Sequence, residues 1–207
     1  MPIISQPQLL VNIKSMNMKT NIKTTILFSL FISFLSCKAQ TTLPLNTSLK
    51  DIPANSYLKD LNNELNSYTG IFQGSFQGKS ITLYISKIEN KLQKSSQKIY
   101  YSDILDIKYI VKNSSGVVLQ DTKNNNIPSI NLYSIGTKPY NNSAIFFYSG
   151  TNCNVGWGKI ILKKISSTQI SWEYKPNDII LDNSKCPSGT DINIYLPETK
   201  DLIFTKQ

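Results

Sequence analysis

From Tyr68 onward the apolar residues of this chain recur at every second position. Ile81, Leu83 and Ile85 alternate with Thr82, Tyr84 and Ser86, and Leu105, Ile107, Tyr109 and Val111 alternate with Asp106, Lys108 and Ile110. Ile170, Trp172 and Tyr174 repeat the pattern, as do Ile192, Ile194 and Leu196, with Leu202 and Phe204 closing it. A period of two sends successive side chains to opposite faces, so each run reads as a strand with one face on a core. Turn-forming clusters break the runs at short intervals. Asn113-Ser114-Ser115-Gly116 leads into Val117-Val118-Leu119, and Ser166-Ser167-Thr168 joins Ile160-Ile161-Leu162 to Ile170-Ser171-Trp172; both read as hairpin loops. About nine or ten strands follow one another in this way without intervening helices, which predicts a single antiparallel all-β domain, barrel or sandwich.

The stretch Tyr68-Thr69-Gly70-Ile71-Phe72 resembles the glycine–aromatic opening strand of the lipocalin class, so a lipocalin-like barrel is favoured over a sandwich. One short helix is expected before it, over residues 55–66, where Leu58, Leu61 and Leu65 recur at helical spacing. A membrane-spanning barrel is disfavoured, because the polar faces of the strands carry charge and no aromatic girdles are evident.

The N-terminal region reads as an address. Met18-Lys19-Thr20-Asn21-Ile22-Lys23 is a basic start, Ile26 to Leu35 is an apolar core, and Ser36-Cys37-Lys38-Ala39-Gln40 follows. The apolar stretch is shorter than the about 20 residues of a spanning helix and suits a cleaved export signal. Residues before Met16 add no pattern, and initiation at Met16 or Met18 would give a more ordinary start. Two cleavage sites compete. Phe34-Leu35-Ser36-Cys37 resembles a bacterial lipobox, which would leave Cys37 lipidated; cleavage after Ala39 would instead release a soluble protein. The lipidated reading is favoured, giving a signal over 1–36, a lipid-bearing polar tether over 37–53 and the β domain over 54–207. The chain has three cysteines, an odd number for an exported protein. Lipid on Cys37 leaves Cys153 and Cys186, which in an oxidising compartment are most simply one disulfide, worth roughly 3–4 kcal/mol in the chain-entropy model. The rival, a reactive thiol at Cys153, lacks a histidine base.

Composition excludes several functions. The formal charge of +9 falls to +6 once Lys14, Lys19 and Lys23 leave with the signal. All 22 basic residues are lysine, scattered among acids, whereas nucleic-acid interfaces lean on arginine. No nucleic-acid partner is expected. Without histidine, the usual triads, zinc sites and imidazole acid–base chemistry are absent. Among carboxylates, Asp103 and Asp106 lie three apart on a strand and face opposite sides; Glu173 with Asp178 and Asp182 reads as solvated. Asp178, Asp182, Asn183 and Asp191 fit no calcium-loop spacing. Trp157, Trp172, Tyr174, Phe146, Phe147 and Tyr148 are read as core or cross-strand packing before ligand contacts. No catalytic, cofactor or metal motif is recognisable.

Several phrases resemble a family of small flavobacterial (Bacteroidetes) lipoproteins known only as a domain of unknown function. They are Ser36-Cys37-Lys38-Ala39-Gln40, Ile52-Pro53 through Glu64-Leu65, Gly150-Thr151-Asn152-Cys153 through Lys159, Ile170-Ser171-Trp172-Glu173-Tyr174 and Cys186-Pro187-Ser188-Gly189 through Pro197-Glu198. The resemblance implies a lipid-anchored envelope protein and supplies no activity. The expectation is therefore a non-enzymatic outer-membrane lipoprotein facing the periplasm, since no acidic residue follows Cys37 before Asp51. It would bind a small apolar ligand, a glycan or an envelope protein; the alternative is a structural or inhibitory partner with no small ligand. A cavity in the barrel would mark the first, a filled core with an exposed apolar patch the second.

Overall fold

The computed structural model describes residues 40–95, 98–125, 127, 129–181, 184 and 186–207. The expected signal over 1–36, Cys37, Asp182 and Asn183 lie outside the described residues. The alternating runs form strands: β1 (Thr42–Pro44), β2 (Tyr57–Lys59), β3 (Gly70–Phe76), β4 (Lys79–Lys94), β5 (Ile99–Lys112), β6 (Val118–Asp121), β7 (Leu132–Lys138), β8 (Ser143–Tyr148), β9 (Gly158–Lys164), β10 (Gln169–Pro176) and β11 (Thr199–Lys206). Eight of them close into an antiparallel barrel in the ring order β3-β4-β5-β7-β8-β9-β10-β11 and back to β3. Apart from β6, each barrel strand follows its predecessor by a direct up-and-down connection, as the hairpin signals required. The Asn113–Gly116 loop closes β5 onto β6, with the Asn113 carboxamide oxygen accepting the Ser115 and Val117 amides.

The period-two residues meet inside this ring. Ile81, Leu83, Leu105, Ile107, Tyr109 and Val111 are all buried, facing Phe146, Tyr148, Ile160, Leu162, Trp172 and Phe204 from the opposite wall. Trp172 packs on Phe204 with ring centres 5.7 Å apart, and Tyr148 meets Tyr174 edge-on at 5.8 Å, geometries that add about 0.5–1.5 kcal/mol to the burial itself. The polar tips of these aromatics are satisfied within the protein. Tyr109 donates to Gln120 (2.7 Å) and lies 3.2 Å from the Tyr148 hydroxyl, Gln120 donates to Thr151 (3.0 Å), and Trp172 Nε1 donates to the Pro197 carbonyl (2.9 Å). Among the described residues no buried side-chain nitrogen or oxygen lacks a hydrogen-bond partner.

Strand lengths break the symmetry of the barrel. β3 starts opposite Ile85, so residues 86–94 of β4 and the start of β5 run past it as an overhang. A bulge between Ile88 and Lys91, with Asn90 at φ 52°, twists that overhang. On its other edge β5 changes neighbours: β6 pairs at Ile110–Lys112, β7 at the single pair Asp106–Tyr133, and β2 in parallel at Tyr101–Ser102. β1 pairs in parallel with β2.

Two expectations need correction. The helix over 55–66 does not form; the segment holds β2, two turn residues with positive φ (Asn55 and Asn63) and leads into a short 3₁₀ turn at Asn66–Tyr68. The reason is Asp60, whose buried carboxylate accepts the Glu64 and Leu65 amides at 2.7 and 3.2 Å and so closes a tight turn where a helix would need those donors for its own ladder. Leu58 and Leu65 are buried while Leu61, between them, is 55% exposed. Residues 192–196 are irregular and do not extend β11, because Asp191 accepts from Asn193 and Tyr195 and bends the chain before Pro197. Leu196 and part of Ile194 still reach the core. From Gln40 onward the tether segment is also folded: Leu45 and Ile52 are buried, and Lys98 donates to the carbonyls of Leu49, Lys50 and Ile52.

Candidate functional site: a groove at the barrel seam

The single Asp106–Tyr133 pair makes the β5–β7 junction a seam, and concavities gather around it. A groove of about 320 Å³ lies between the overhang and β7, lined by Lys91, Leu92, Gln93, Lys94, Ile104 and Tyr133 together with Asp106 and Asn131. That is the low end of the range for small-molecule sites. Behind it, a pocket of about 50 Å³ bordered by Leu45, Leu58, Tyr100, Asp103 and Ser134 has room for a few waters. Gln93 and Ile104 border both spaces.

The overhang is held in place by a buried clamp. Asp103 is 2% exposed and its carboxylate accepts three hydrogen bonds: from the Tyr57 hydroxyl, from the Asp60 amide at 2.9 Å and from the bulge amide of Asn90 at 3.0 Å. Asp60 in turn pairs with Lys87 of β4 at 3.0 Å. Burial works against the Asp103 charge, but the Tyr57 hydroxyl, the two amides and the nearby Lys87 outweigh it and hold the carboxyl below its ordinary value. Burial, then the Asp103 contact, pushes Tyr57 up to about 12. The clamp thus ties β2, the 60–65 turn and both strands of the overhang together.

The groove itself is polar and under-committed. Asp106 stands 4.0 Å from Lys108, whereas no ion pair involves Lys91 or Lys94 among the described residues. Among the described residues no hydrogen bond engages the Gln93 side-chain amide or the Tyr133 hydroxyl. The Tyr133 ring packs beside Phe147 at 5.7 Å on the outer wall, and burial, with Tyr133 nearby, raises the Tyr100 hydroxyl. Two free ammonium groups, an aromatic face and apolar Leu92 and Ile104 surround one concavity.

The residues singled out from sequence are mostly placed elsewhere. Cys153 and Cys186 form a disulfide that ties the 152–154 turn to the 177–198 loop, beside an Asn152 hydrogen bond to the Asp191 carbonyl. Asp103 and Asp106 do diverge, one into the clamp and one to the groove wall. Glu173 faces outward, Asp178 is exposed, and Asp191 is engaged by Asn193 and Tyr195. Among the described residues no cluster of acids and cysteines is arranged to hold a metal ion. Phe146, Tyr148, Trp172 and Tyr174 are core; Phe147 and Trp157 reach the surface. Lys91, Gln93, Lys94 and Tyr133 went unmarked by sequence reasoning, since nothing in a strand's alternation tells where its neighbour ends.

The model of a family of unknown function (DUF6705) matches residues 18–207. Comparison with curated proteins and with solved structures gives no match.

Proposed function

We propose that this chain, which belongs to the family of unknown function DUF6705, is a non-enzymatic binding module whose contact site is the seam groove and not the barrel interior. The observation that carries this is the contrast between the two spaces. The interior is packed with aromatics, of which Tyr109, Tyr148, Trp172 and Tyr174 have their polar atoms paired within the protein, so a guest would have to displace the Tyr109–Gln120–Thr151 chain of hydrogen bonds. The groove offers free donors and an aromatic face with no rearrangement. The module is carried on the envelope by lipid at Cys37, in the outer membrane facing the periplasm. Supporting that placement, the Cys153–Cys186 disulfide fits an oxidising compartment and leaves Cys37 as the odd cysteine.

Amide-resolved NMR of the mature protein tests the site, using a chitooligosaccharide, a short-chain phospholipid and a medium-chain fatty acid as probes. Perturbation confined to Lys91–Lys94, Ile104, Asp106 and Tyr133 is expected from at least one probe. Perturbation of Tyr109, Tyr148 and Trp172 instead would overturn the reading and make the interior the site. An intact mass of protein from its native membrane tests the anchor: Cys37–Gln207 with diacylglycerol and an acyl chain is expected, and a lipid-free mass starting at Gln40 would refute it.

A docking role has its own support. Ile179, Ile180 and Leu181 are exposed in a row, Ile180 at 96%, beside half-exposed Trp157, whose Nε1 lies 3.4 Å from the Asp178 carbonyl. An apolar tip of that kind suits a protein partner. Silence of the groove toward all three probes would favour this second reading.

A further inference from the structure

We infer that the seam groove takes the headgroup of an anionic phospholipid, presented by the membrane in which the chain is anchored; the inference rests on the anchored, groove-binding reading above. Position is the first argument. Gln40, the first described residue, donates from its side chain to the Asn55 carbonyl (2.9 Å), and the Asn55 amide donates to Ile99 at the tip of the overhang (2.8 Å). Cys37 precedes Gln40 by three residues, a reach of about 10–11 Å at full extension. The folded tether leaves no long spacer, so lipid on Cys37 would hold the overhang close to the membrane surface. The 177–198 loop and the disulfide close the opposite end, between strands that run away from the overhang.

Chemistry is the second argument. Lys91 and Lys94 are exposed and form no ion pair among the described residues, while Asp106 is offset by Lys108. The groove therefore carries net positive charge, and the Gln93 amide and Tyr133 hydroxyl add donors suited to phosphate oxygens. Leu92 and Ile99, 41% and 46% exposed, give the overhang an apolar tip, and Ile104 gives the groove an apolar wall. Phosphate beside short hydrocarbon matches that combination. A zwitterionic headgroup would bring its own ammonium against the two lysines. The free edge of β4 is not offered for strand pairing, because its lysines and the Asn90 bulge guard it.

The test titrates the mature lipoprotein, in neutral detergent, with dihexanoyl phosphatidylglycerol, dihexanoyl phosphatidylcholine, inorganic phosphate and oligogalacturonate, read by amide NMR. Saturable shifts at Lys91–Lys94, Ile104 and Tyr133 are expected with phosphatidylglycerol, none with phosphatidylcholine, and at least tenfold weaker binding of free phosphate. The double variant Lys91→Gln, Lys94→Gln should weaken phosphatidylglycerol binding by roughly 30-fold, at about 1 kcal/mol per lysine, with barrel amides of β8–β10 unmoved. Equal response to the two phospholipids, undiminished binding by the variant, or response to oligogalacturonate alone would overturn the inference. The last result would leave the groove standing as a site for an acidic glycan. A lipid-free intact mass would refute the membrane as the source, whatever the titration shows, so the two failures are separable.

Discussion

Replacing Asp103 by asparagine should be the most informative single change in this protein, because one carboxylate joins three segments. In the native fold its oxygens accept from the Tyr57 hydroxyl, the Asp60 amide and the Asn90 amide. Asparagine keeps one acceptor oxygen and turns an NH₂ toward at least one of these donors. A hydrogen bond to a charged group is worth about 1.5–3 kcal/mol, and a buried donor left unpaired adds about 1–3 kcal/mol. These costs overlap, so Asp103→Asn should lose about 2–4 kcal/mol at pH 7, measured by urea denaturation. The loss should also be local: hydrogen exchange should quicken in residues 57–65 and 87–94 before it does in β8–β10. The pH dependence carries its own sign. The folded carboxyl lies below its ordinary value, so its stabilisation is present above about pH 4 and vanishes as pH falls through the folded value. The gap between wild type and variant should therefore narrow at pH 3. A loss under about 0.5 kcal/mol at pH 7, or a gap of the same size at both pH values, would refute the clamp.

Other consequences follow from the same structure. Removing the disulfide by Cys153→Ser, Cys186→Ser opens a loop with a separation of 33 residues and should cost about 3.7 kcal/mol in the chain-entropy model; a loss below about 1 kcal/mol in urea would show that the 177–198 loop contributes little to the barrel. Gly74 sits where an added Cβ would come 2.9 Å from the Phe204 ring, so Gly74→Ala should lose about 1–3 kcal/mol by overpacking. Phe204→Leu should recover part of that loss in a double-mutant cycle; strict additivity would contradict the contact. Burial pushes Tyr57, Tyr68 and Tyr148 up to about 12. Folding favours their neutral forms, so stability is full below pH 10 and drains as pH rises through about 12. A spectrophotometric titration in which every tyrosine ionises near 10 with the fold intact would contradict that burial.

Much of the barrel was legible because alternation reports burial directly. Ile81-Leu83-Ile85, Leu105 through Val111 and Ile170-Trp172-Tyr174 occupy the inner face at every position read, and both hairpin loops close the strands they separate. The helix reading failed because leucine spacing records which side chains are buried, not how the backbone satisfies its amides. Asp60 settles that question locally, and its role depends on Lys87 and Asp103, distant in sequence. Asp103 did leave a trace: it shares the inward parity of Leu105, Ile107 and Tyr109, and an acid in register with a core needs partners. The groove left none. It depends on β4 outrunning β3 and on β5 changing neighbours, and both are properties of pairing, not of any one strand.

The seam explains why this barrel would place its contact site outside itself. An eight-stranded ring is just wide enough for side chains to fill, and large aromatics fill this one, so a guest inside would replace packing that the fold needs. Where β5 meets β7 the wall divides: only Asp106 pairs with Tyr133, Leu105 donates to the Ser134 hydroxyl, and the Tyr101 amide turns to Ser56 of the N-terminal arm. The arm completes what β7 leaves open, and the parting of the two neighbours creates the concavity. The Asp60–Asp103 clamp fixes this arm and the overhang to each other. On the anchored reading, the segment that leads to the membrane is therefore the one that shapes the groove, and loosening the clamp should weaken ligand binding and orientation at the bilayer together. Asp103→Asn, assayed for phosphatidylglycerol binding beside its stability, separates that coupling from coincidence: binding that survives a freed arm unchanged would show that the groove owes nothing to it.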